Sequence, residues 1–294
     1  MKASIIIPNY NTDWLLEKNL PVVLAAVQNT KNNIVEVILV DDGSEDKSAY
    51  VVRKQFTQVK LIRHTKNRGF SASVNTGARA AKGDLLVLLN TDVLPEKDFL
   101  EKSIPLFEDP KVFAVSLNEG GYSWATAVFE NGFIGHAPGE KDNKVHETFW
   151  VSGGSGVFRR SMWNKLGGMD EKLLSPFYWE DLDIAYRAHK RGYKLLWSPE
   201  GKVEHKHETT MKRLPQAYVQ RIRERNHLLF IWKNLTSPNL FKRHLRGLFQ
   251  RVVKNPGYLR IVLMALTRFA IVRRARRKEK KETKLSDEQI FAKF

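Results

Sequence analysis

Three short stretches carry side chains that could do acid, base or metal chemistry. In Asn90-Thr91-Asp92 a carboxylate is the first acidic group after five consecutive apolar residues, Leu85 to Leu89, and a carboxylate so placed can hold a divalent cation. In Phe177-Tyr178-Trp179-Glu180-Asp181-Leu182-Asp183 three aromatics lead into three carboxylates. Taken alone, that stretch reads first as a capped helix with an acidic opening turn and an Asp183–Arg187 pair at i,i+4, and second as a site. In Val203-Glu204-His205-Lys206-His207 two histidines follow a strand. A lone His is usually not a ligand, but this pair accompanies a candidate metal carboxylate.

The elements that must position these groups follow from the apolar pattern. The run Leu85 to Leu89, too short for a helix and flanked by Gly83 and polar residues, predicts a strand buried on both faces of a largely parallel sheet. Asn90 and Asp92 then lie at its carboxyl end, where open α/β sheets bind ligands. Before it come a strand at 4–7, a helix from Asp13 to about 29, a strand at 35–40 ending in Asp41-Asp42-Gly43-Ser44, a helix opened by 44–46, and a strand at 59–63. This alternation is the βαβ signature of a doubly wound sheet. Asn67-Arg68-Gly69-Phe70 opens a further helix, whose small residues allow close packing on the sheet and whose N-terminus beside Arg68 suits phosphate. Downstream the pattern predicts a helix at 95–107, a strand at 112–117, an irregular glycine-rich segment at 118–144, a strand at 149–158 interrupted by glycines where a backbone or ligand comes close, a helix from Arg160, a helix at 180–191 and a strand at 194–197.

Composition narrows the classes. A chain of 294 residues with 42% hydrophobic and 11% aromatic content can bury a sizeable core. With no cysteine, a disulfide framework and a thiolate metal site are excluded. The first ten residues carry one Lys and no small-residue cleavage site, so no secretory leader is expected, and no apolar run is long enough for a spanning helix. These features predict a cytoplasmic protein.

The formal charge of +17 is unevenly placed: residues 211–294 hold 22 Lys and Arg against 5 Asp and Glu, whereas residues 1–210 are balanced. A neutral body with a basic tail argues against nucleic acid as the partner of the whole protein. Residues 218–234 read as a basic amphipathic helix. Leu245, Leu248, Phe249 and Val252 repeat at helical spacing beside Arg243, Arg246, Arg251 and Lys254, and residues 259–272 are apolar but interrupted by Arg260 and Arg268. The pattern suits helices lying on an anionic membrane surface, on the inner face of the cytoplasmic membrane; helices packed on the body with a solvated basic face are the alternative. Residues 285–294 predict a short polar helix.

Taken together, the chain resembles the family 2 glycosyltransferases of GT-A fold. The residues that carry the resemblance are Ser4-Ile5-Ile6-Ile7-Pro8-Asn9-Tyr10-Asn11, Val40-Asp41-Asp42-Gly43-Ser44, Asn67-Arg68-Gly69-Phe70 with Asn75 and Gly77, Asn90-Thr91-Asp92, Gly153-Gly154-Ser155 and Trp179-Glu180-Asp181-Leu182-Asp183. Each is weak singly; six in the family's order, across residues 1 to about 210, are specific. The resemblance implies a Rossmann-like, mostly parallel sheet flanked by helices, in which residues 1–117 bind the nucleotide sugar, 118–210 bind the acceptor and 211–294 form a helical basic extension. It implies an inverting transferase moving a sugar from a nucleotide diphosphate sugar to a hydroxyl of a glycan or glycolipid, with Mn²⁺ or Mg²⁺, in bacterial cell-surface polysaccharide or glycolipid synthesis. A catalytically silent sugar-nucleotide or glycan-binding subunit of the same fold is the rival reading, against which the presence of both Asp92 and Asp181 speaks.

Residue by residue, the resemblance implies that Pro8 and Tyr10 flank the base and that Asp41 and Asp42 accept hydrogen bonds from base or ribose. Arg68 and Asn90 lie near the nucleotide. Asp92 holds the metal on the diphosphate, although Asn90 stands where the family often has a first Asp, removing one charge. His205 is the expected second metal ligand, with His207 next. Gly153 and Gly154 let the backbone approach the donor sugar and diphosphate, Asp181 is the general base, and Trp179 and Glu180 face the acceptor.

Overall fold

The run Leu85–Leu89 is a strand with every residue buried, and the sheet extends to either side of it. The computed structural model describes residues 1–120, 124–140, 142–205 and 214–294. In chain order the elements are β1 (Ala3–Asn9), α1 (Asp13–Val27), β2 (Ile34–Asp41), α2 (Ser48–Gln55), β3 (Lys60–Arg63), α3 (Phe70–Ala80), β4 (Leu85–Leu89), β5 (Val93–Pro95), β6 (Val112–Asn118), β7 (Ala125–Glu130), β8 (Phe133–Pro138), β9 (His146–Glu147), β10 (Ser155–Arg159), α4 (Arg160–Leu166), α5 (Glu180–Lys190), β11 (Lys194–His205), α6 (Gln216–Asn234), α7 (Pro238–Lys254), α8 (Leu259–Leu266), α9 (Phe269–Glu282) and α10 (Asp287–Phe291).

The sheet order is β3-β2-β1-β4-β10-β6-β11-β5, with β9 joined to β11. β3, β2, β1 and β4 are mutually parallel, and so are β6 and β11, while β10 runs antiparallel between β4 and β6. The sheet is therefore mostly parallel, as the sequence predicts. Side chains alternate across it: Leu85, Val87 and Leu89 pack with Leu16, Leu20 and Val23 of α1 and with Val51 and Val52 of α2. Leu86 and Leu88 face the other way, towards Val74 and Ala78 of α3 and Ile184, Ala185 and Ala188 of α5. The helix that carries Asp181 thus shares a core layer with the strand that leads to Asp92.

The strand expected at 149–158 is confined to Ser155–Arg159, and two further expected elements are different in the structure. Residues 95–107 are not one helix but turns followed by a short 3₁₀ segment, Ile104–Glu108. The buried Asn32 side chain accepts from the backbone N–H groups of Leu100 and Glu101 at 3.2 and 3.1 Å, and Pro105 has no N–H to give an α-helical bond. Part of the segment expected to be irregular is a hairpin: β7 and β8 pair from Ala125↔Pro138 to Glu130↔Phe133 around Asn131-Gly132. Both turn residues have positive φ, 50° and 84°, which Asn-Gly adopts readily and which matches the twist of two-residue hairpins.

The segment at 218–234 also departs from expectation. Instead of presenting a basic face, α6 buries Leu228, Leu229, Phe230 and Ile231 against Leu173, Leu174, Leu182 and Tyr186, and its polar groups are bonded inside. Lys233 Nζ lies 2.8 Å from Asp170 and 2.9 Å from Asp183, the Asn234 side chain donates to Asp183 at 2.7 Å, and Arg187 Nε lies 2.8 Å from Asp183. Burial opposes the charge on Asp183, but Arg187, Lys233 and Asn234 outweigh it and hold its carboxyl at about 2. The helix α10 docks in the same layer: Asp287 accepts from Tyr186 Oη at 2.7 Å and pairs with the fully buried Lys190 at 2.9 Å.

Asp183→Ala would leave Arg187 and Lys233 buried with less compensation. The expected loss of stability is about 3–5 kcal/mol in urea unfolding, and a loss below about 1 kcal/mol would contradict the bridging role.

Candidate active site

The carboxyl ends of β4, β6 and β11 converge. Beyond β4 the Asn90 N–H donates to the Gly154 carbonyl at 2.9 Å, which continues the pairing of β4 with β10. Asp92 is buried, 7% exposed. The register of β11 against β5 sets His205 opposite Val93, so its imidazole reaches Asp92: Nε2 lies 3.5 Å from Asp92 Oδ1, and Nδ1 lies 3.2 Å from Glu119 Oε1. Burial disfavours the imidazolium, but hydrogen bonding and charge from Asp92 and Glu119 prevail and raise His205 to about 9. Glu119 directly follows β6 and accepts from the Ser155 hydroxyl. It was not among the expected site residues, although a carboxylate just past a strand's carboxyl end carries the same signal as Asp92.

Asp181 enters from the first turn of α5. Its Oδ1 accepts from its neighbour's N–H, Leu182, at 2.8 Å, and its Oδ2 accepts from Gly153 N–H at 3.4 Å. Burial raises its pKa, and so does the charge of Glu119, against hydrogen bonds from the backbone that lower it. A carboxylate with a raised pKa is a better proton acceptor. The joint between the clusters is Gly153-Gly154: a Cβ on Gly153 would come within 3.3 Å of Asp181 Cβ, and one on Gly154 within 2.5 Å of Asn90 Nδ2 and 3.2 Å of His205 Cε1. Protein side chains come close to both glycines. The structure thus gathers Asn90, Asp92, Glu119, Gly153, Gly154, Asp181 and His205; His207 lies outside the described residues.

The turn before α5 is strained. Tyr178 and Trp179 both have positive φ, 71° and 76°, which costs of order 1–3 kcal/mol per residue for bulky side chains. Asn226 of α6, fully buried, offsets this by donating to the carbonyls of Leu174, Phe177 and Tyr178. Trp179 stacks on His227 at 3.9 Å between ring centres and on Phe230 at 5.3 Å, so one of its faces is already taken by α6. Glu180 is buried, 6% exposed, and its Oε2 has no hydrogen-bond partner among the described residues. Burial first, then the charge of Asp181, pushes its pKa up to about 8.

Most of the remaining expected residues lie at the carboxyl ends of β1 and β2, strands parallel to β4. A groove of about 820 Å³ is bordered by Tyr10, Gly43, Ser44, Arg63, His64 and Lys66 among others. Tyr10 is exposed, whereas Pro8 sits within β1 beside β2. Asp41 is buried, accepting from the Asn9 amide at 3.1 Å and pairing with Arg63 at 3.1 Å. Asp42 is also buried, and accepts from the backbone N–H groups of Arg68 and Gly69 while pairing with His64 at 2.6 Å. Its oxygens tie the loop before α3 to the end of β2. The Arg68 guanidinium is engaged with Glu171 at 3.2 Å.

Among the described residues no group of three or more His, Asp or Glu side chains is disposed to hold a metal ion by itself. Asp92 supplies an oxygen donor, and His205 would supply a nitrogen donor once a cation displaces the proton that Asp92 and Glu119 hold on it, both of the kinds a divalent transition ion accepts. A cation that draws its remaining ligands from phosphate and water needs only one or two protein groups, so these residues fit.

The fold and the convergence of side chains at the strand ends define a GT-A glycosyltransferase architecture. A mannosyltransferase from Pyrobaculum calidifontis, solved with GDP-Man and Mn²⁺, superposes with a TM-score of 0.58 at 22% identity over 92% of this chain and 75% of that one. The structure of GalNAc-T7 with UDP, GalNAc and Mn²⁺ gives 0.61 at 18% identity over 81% of this chain and 48% of that one. Residues 4–167 match the model of Glycosyl transferase family 2, more than half of the sequence, and the chain belongs to that family. Similar proteins include a pre-mycofactocin glycosyltransferase of Mycobacterium tuberculosis, 30% identical over 60% of this chain. Another is an O-antigen chain rhamnosyltransferase of Salmonella typhimurium, 25% identical over 74% of this chain and 70% of its own length. The chain spans 39% of the mycobacterial protein's length.

The buried Glu180 gives a pH signature. An unfolded Glu releases its proton near 4.5 and the folded one near 8, so stability falls as pH rises through that window. Glu180→Gln should stabilise the protein at pH 8 by about 2–4 kcal/mol relative to its effect at pH 4. Urea melts at the two pH values check this, and an identical effect at both would contradict it.

Proposed function

We propose that this chain is an inverting glycosyltransferase that moves a sugar from a nucleotide diphosphate sugar to a hydroxyl of a glycan or glycolipid, in the synthesis of a bacterial cell-surface glycan. The observation that carries the reading is that Asp181 meets one side of Gly153-Gly154 while Asn90 and His205, whose imidazole reaches Asp92, meet the other, in a chain of this family. One carboxylate can then take a proton while the other neutralises a leaving group. The kinships to an O-antigen rhamnosyltransferase and to structures solved with GDP-Man or UDP support the donor class.

In this reading the nucleoside lies in the groove lined by Tyr10 and Arg63, near Pro8 of β1, and Arg63 is held there by the buried Asp41. Asp42 holds the backbone of Arg68 and Gly69 in place, and Asn90 offers an acceptor oxygen towards the ribose. Asp92 and His205 would hold Mn²⁺ or Mg²⁺, which when bound neutralises the charge that develops on the departing diphosphate. The acceptor hydroxyl approaches from the side of Trp179 and Glu180. Asp181 accepts its proton as the oxygen bonds to the anomeric carbon, and the bond to the diphosphate breaks on the opposite face, so the configuration inverts. The strained turn at Tyr178 and Trp179 fixes the direction from which Asp181 acts. The protein works on the cytoplasmic side of a membrane, where activated sugars are available to membrane-bound acceptors.

Asp181→Asn keeps the shape of the side chain and removes its basicity. Against a panel of nucleotide sugars, release of nucleoside diphosphate should fall by about 10²–10⁴-fold with nucleotide affinity unchanged. Turnover near that of the unsubstituted protein would sink the assignment.

A further inference from the structure

Between Glu224 and Glu279 the chain has no carboxylate and carries 14 Lys and Arg, and the same stretch exposes a concentration of large apolar side chains. On α7, Leu245, Phe249 and Val253 recur at i, i+4 and i+8 and are 49, 70 and 62% exposed. On α8, Leu259, Leu263 and Leu266 recur at i, i+4 and i+7 and are 49, 56 and 46% exposed, and Phe269 opens α9 at 53%. The opposite faces are committed to the body: α7 buries Leu240, His244, Gly247 and Leu248, and α8 buries Ile261 and Ala265. The outer faces are therefore surplus to the fold. Of the apolar positions expected on a membrane-facing side, Leu248 is buried and Val252 half-buried, whereas Leu245 and Phe249 are exposed.

Exposed cations stand among these apolar residues, Lys242 and Arg246 on α7 and Arg260 on α8. That mixture selects the occupant. A second copy of the chain, docked face to face, would set these cations against one another with no carboxylate in the stretch to meet them. Nucleic acid would use the charge but leave the apolar side chains in water. An anionic bilayer satisfies both, since apolar side chains enter the boundary of the acyl region while Lys and Arg reach the headgroups. No helix among the described residues is long and apolar enough to cross a membrane, so the face lies on the surface.

We propose that the outer faces of α7 and α8, with Phe269, form an interfacial docking surface for anionic phospholipid. α8 and α9 pack on α6, and α6 holds the turn before Asp181 through Asn226. The docked face and the acceptor side of the site are thus one rigid assembly, which fixes the catalytic carboxylate relative to the bilayer.

The test uses the full chain and sedimentation with vesicles of phosphatidylcholine, alone or mixed with phosphatidylglycerol. Binding is expected to the mixed vesicles, at least about tenfold weaker to the neutral ones and weakened by salt. Phe249→Glu with Leu263→Glu should lower binding to mixed vesicles at least about tenfold, with melting temperature and nucleoside diphosphate binding unchanged because both positions are exposed. Arg246→Glu with Arg260→Glu should abolish the preference for anionic lipid. Equal vesicle binding by the apolar variant would overturn the proposal, as would equal binding to neutral vesicles, or a dimer that dissociates in Phe249→Glu without any vesicle binding. Nucleotide binding is read separately, so a failure of the transferase reading would be told apart from a failure of docking.

Discussion

A buried charge, that of Asp183, joins the two parts of the molecule. One carboxylate pairs with Arg187 on its own helix and with Lys233 of α6, and accepts from Asn234. Arg187 extends the network to the carbonyls of Leu166 and Gly168, and Lys233 extends it to Asp170. A buried ion group of this kind is weak evidence for net stability, because desolvation opposes it. It ties α5 to α6 at a definite point, since Asp183 meets Lys233 and Asn234 of α6 in the observed register. The direction of Asp181, two residues earlier on the same helix, is set by that register.

The site is a balance of charges as much as a set of positions. Asp92, Glu119 and Asp181 come together at strand ends and a helix start, where backbone dipoles favour negative charge only at the helix. His205, carried to about 9 by the two carboxylates it touches, is the positive charge within this group. Glu180 is kept neutral by burial up to about pH 8. Neighbouring carboxylates with different environments are how one site keeps separate proton-accepting and charge-holding groups.

Most of the fold was legible because it rests on local signals. Five apolar residues at 85–89 can be satisfied only as an interior strand, and the alternation of strands and helices before them fixes a parallel sheet. The hairpin at 125–138 was not legible: its strands alternate too weakly for a strand pattern, although Asn131-Gly132 suits the turn. The helix expected at 95–107 was prevented by a distant side chain, Asn32, which no periodicity reveals. For α6, helical spacing was correct and its environment was not: Arg225, Lys233 and Asn234 look like a solvated face until Asp183 and Ser175 are brought to meet them. The same reason hid Glu119, whose neighbours His205 and Ser155 are distant in sequence, and the engagement of Arg68 with Glu171.

The most direct measurement is calorimetric titration of the purified chain with UDP, GDP, CDP and dTDP, each with and without Mn²⁺ or Mg²⁺. If Asp92 and His205 hold a cation against a diphosphate, one of these nucleotides binds, its affinity depends on the metal, and Asp92→Ala abolishes that dependence. Absence of binding to all four, or binding indifferent to metal and to Asp92, would contradict it.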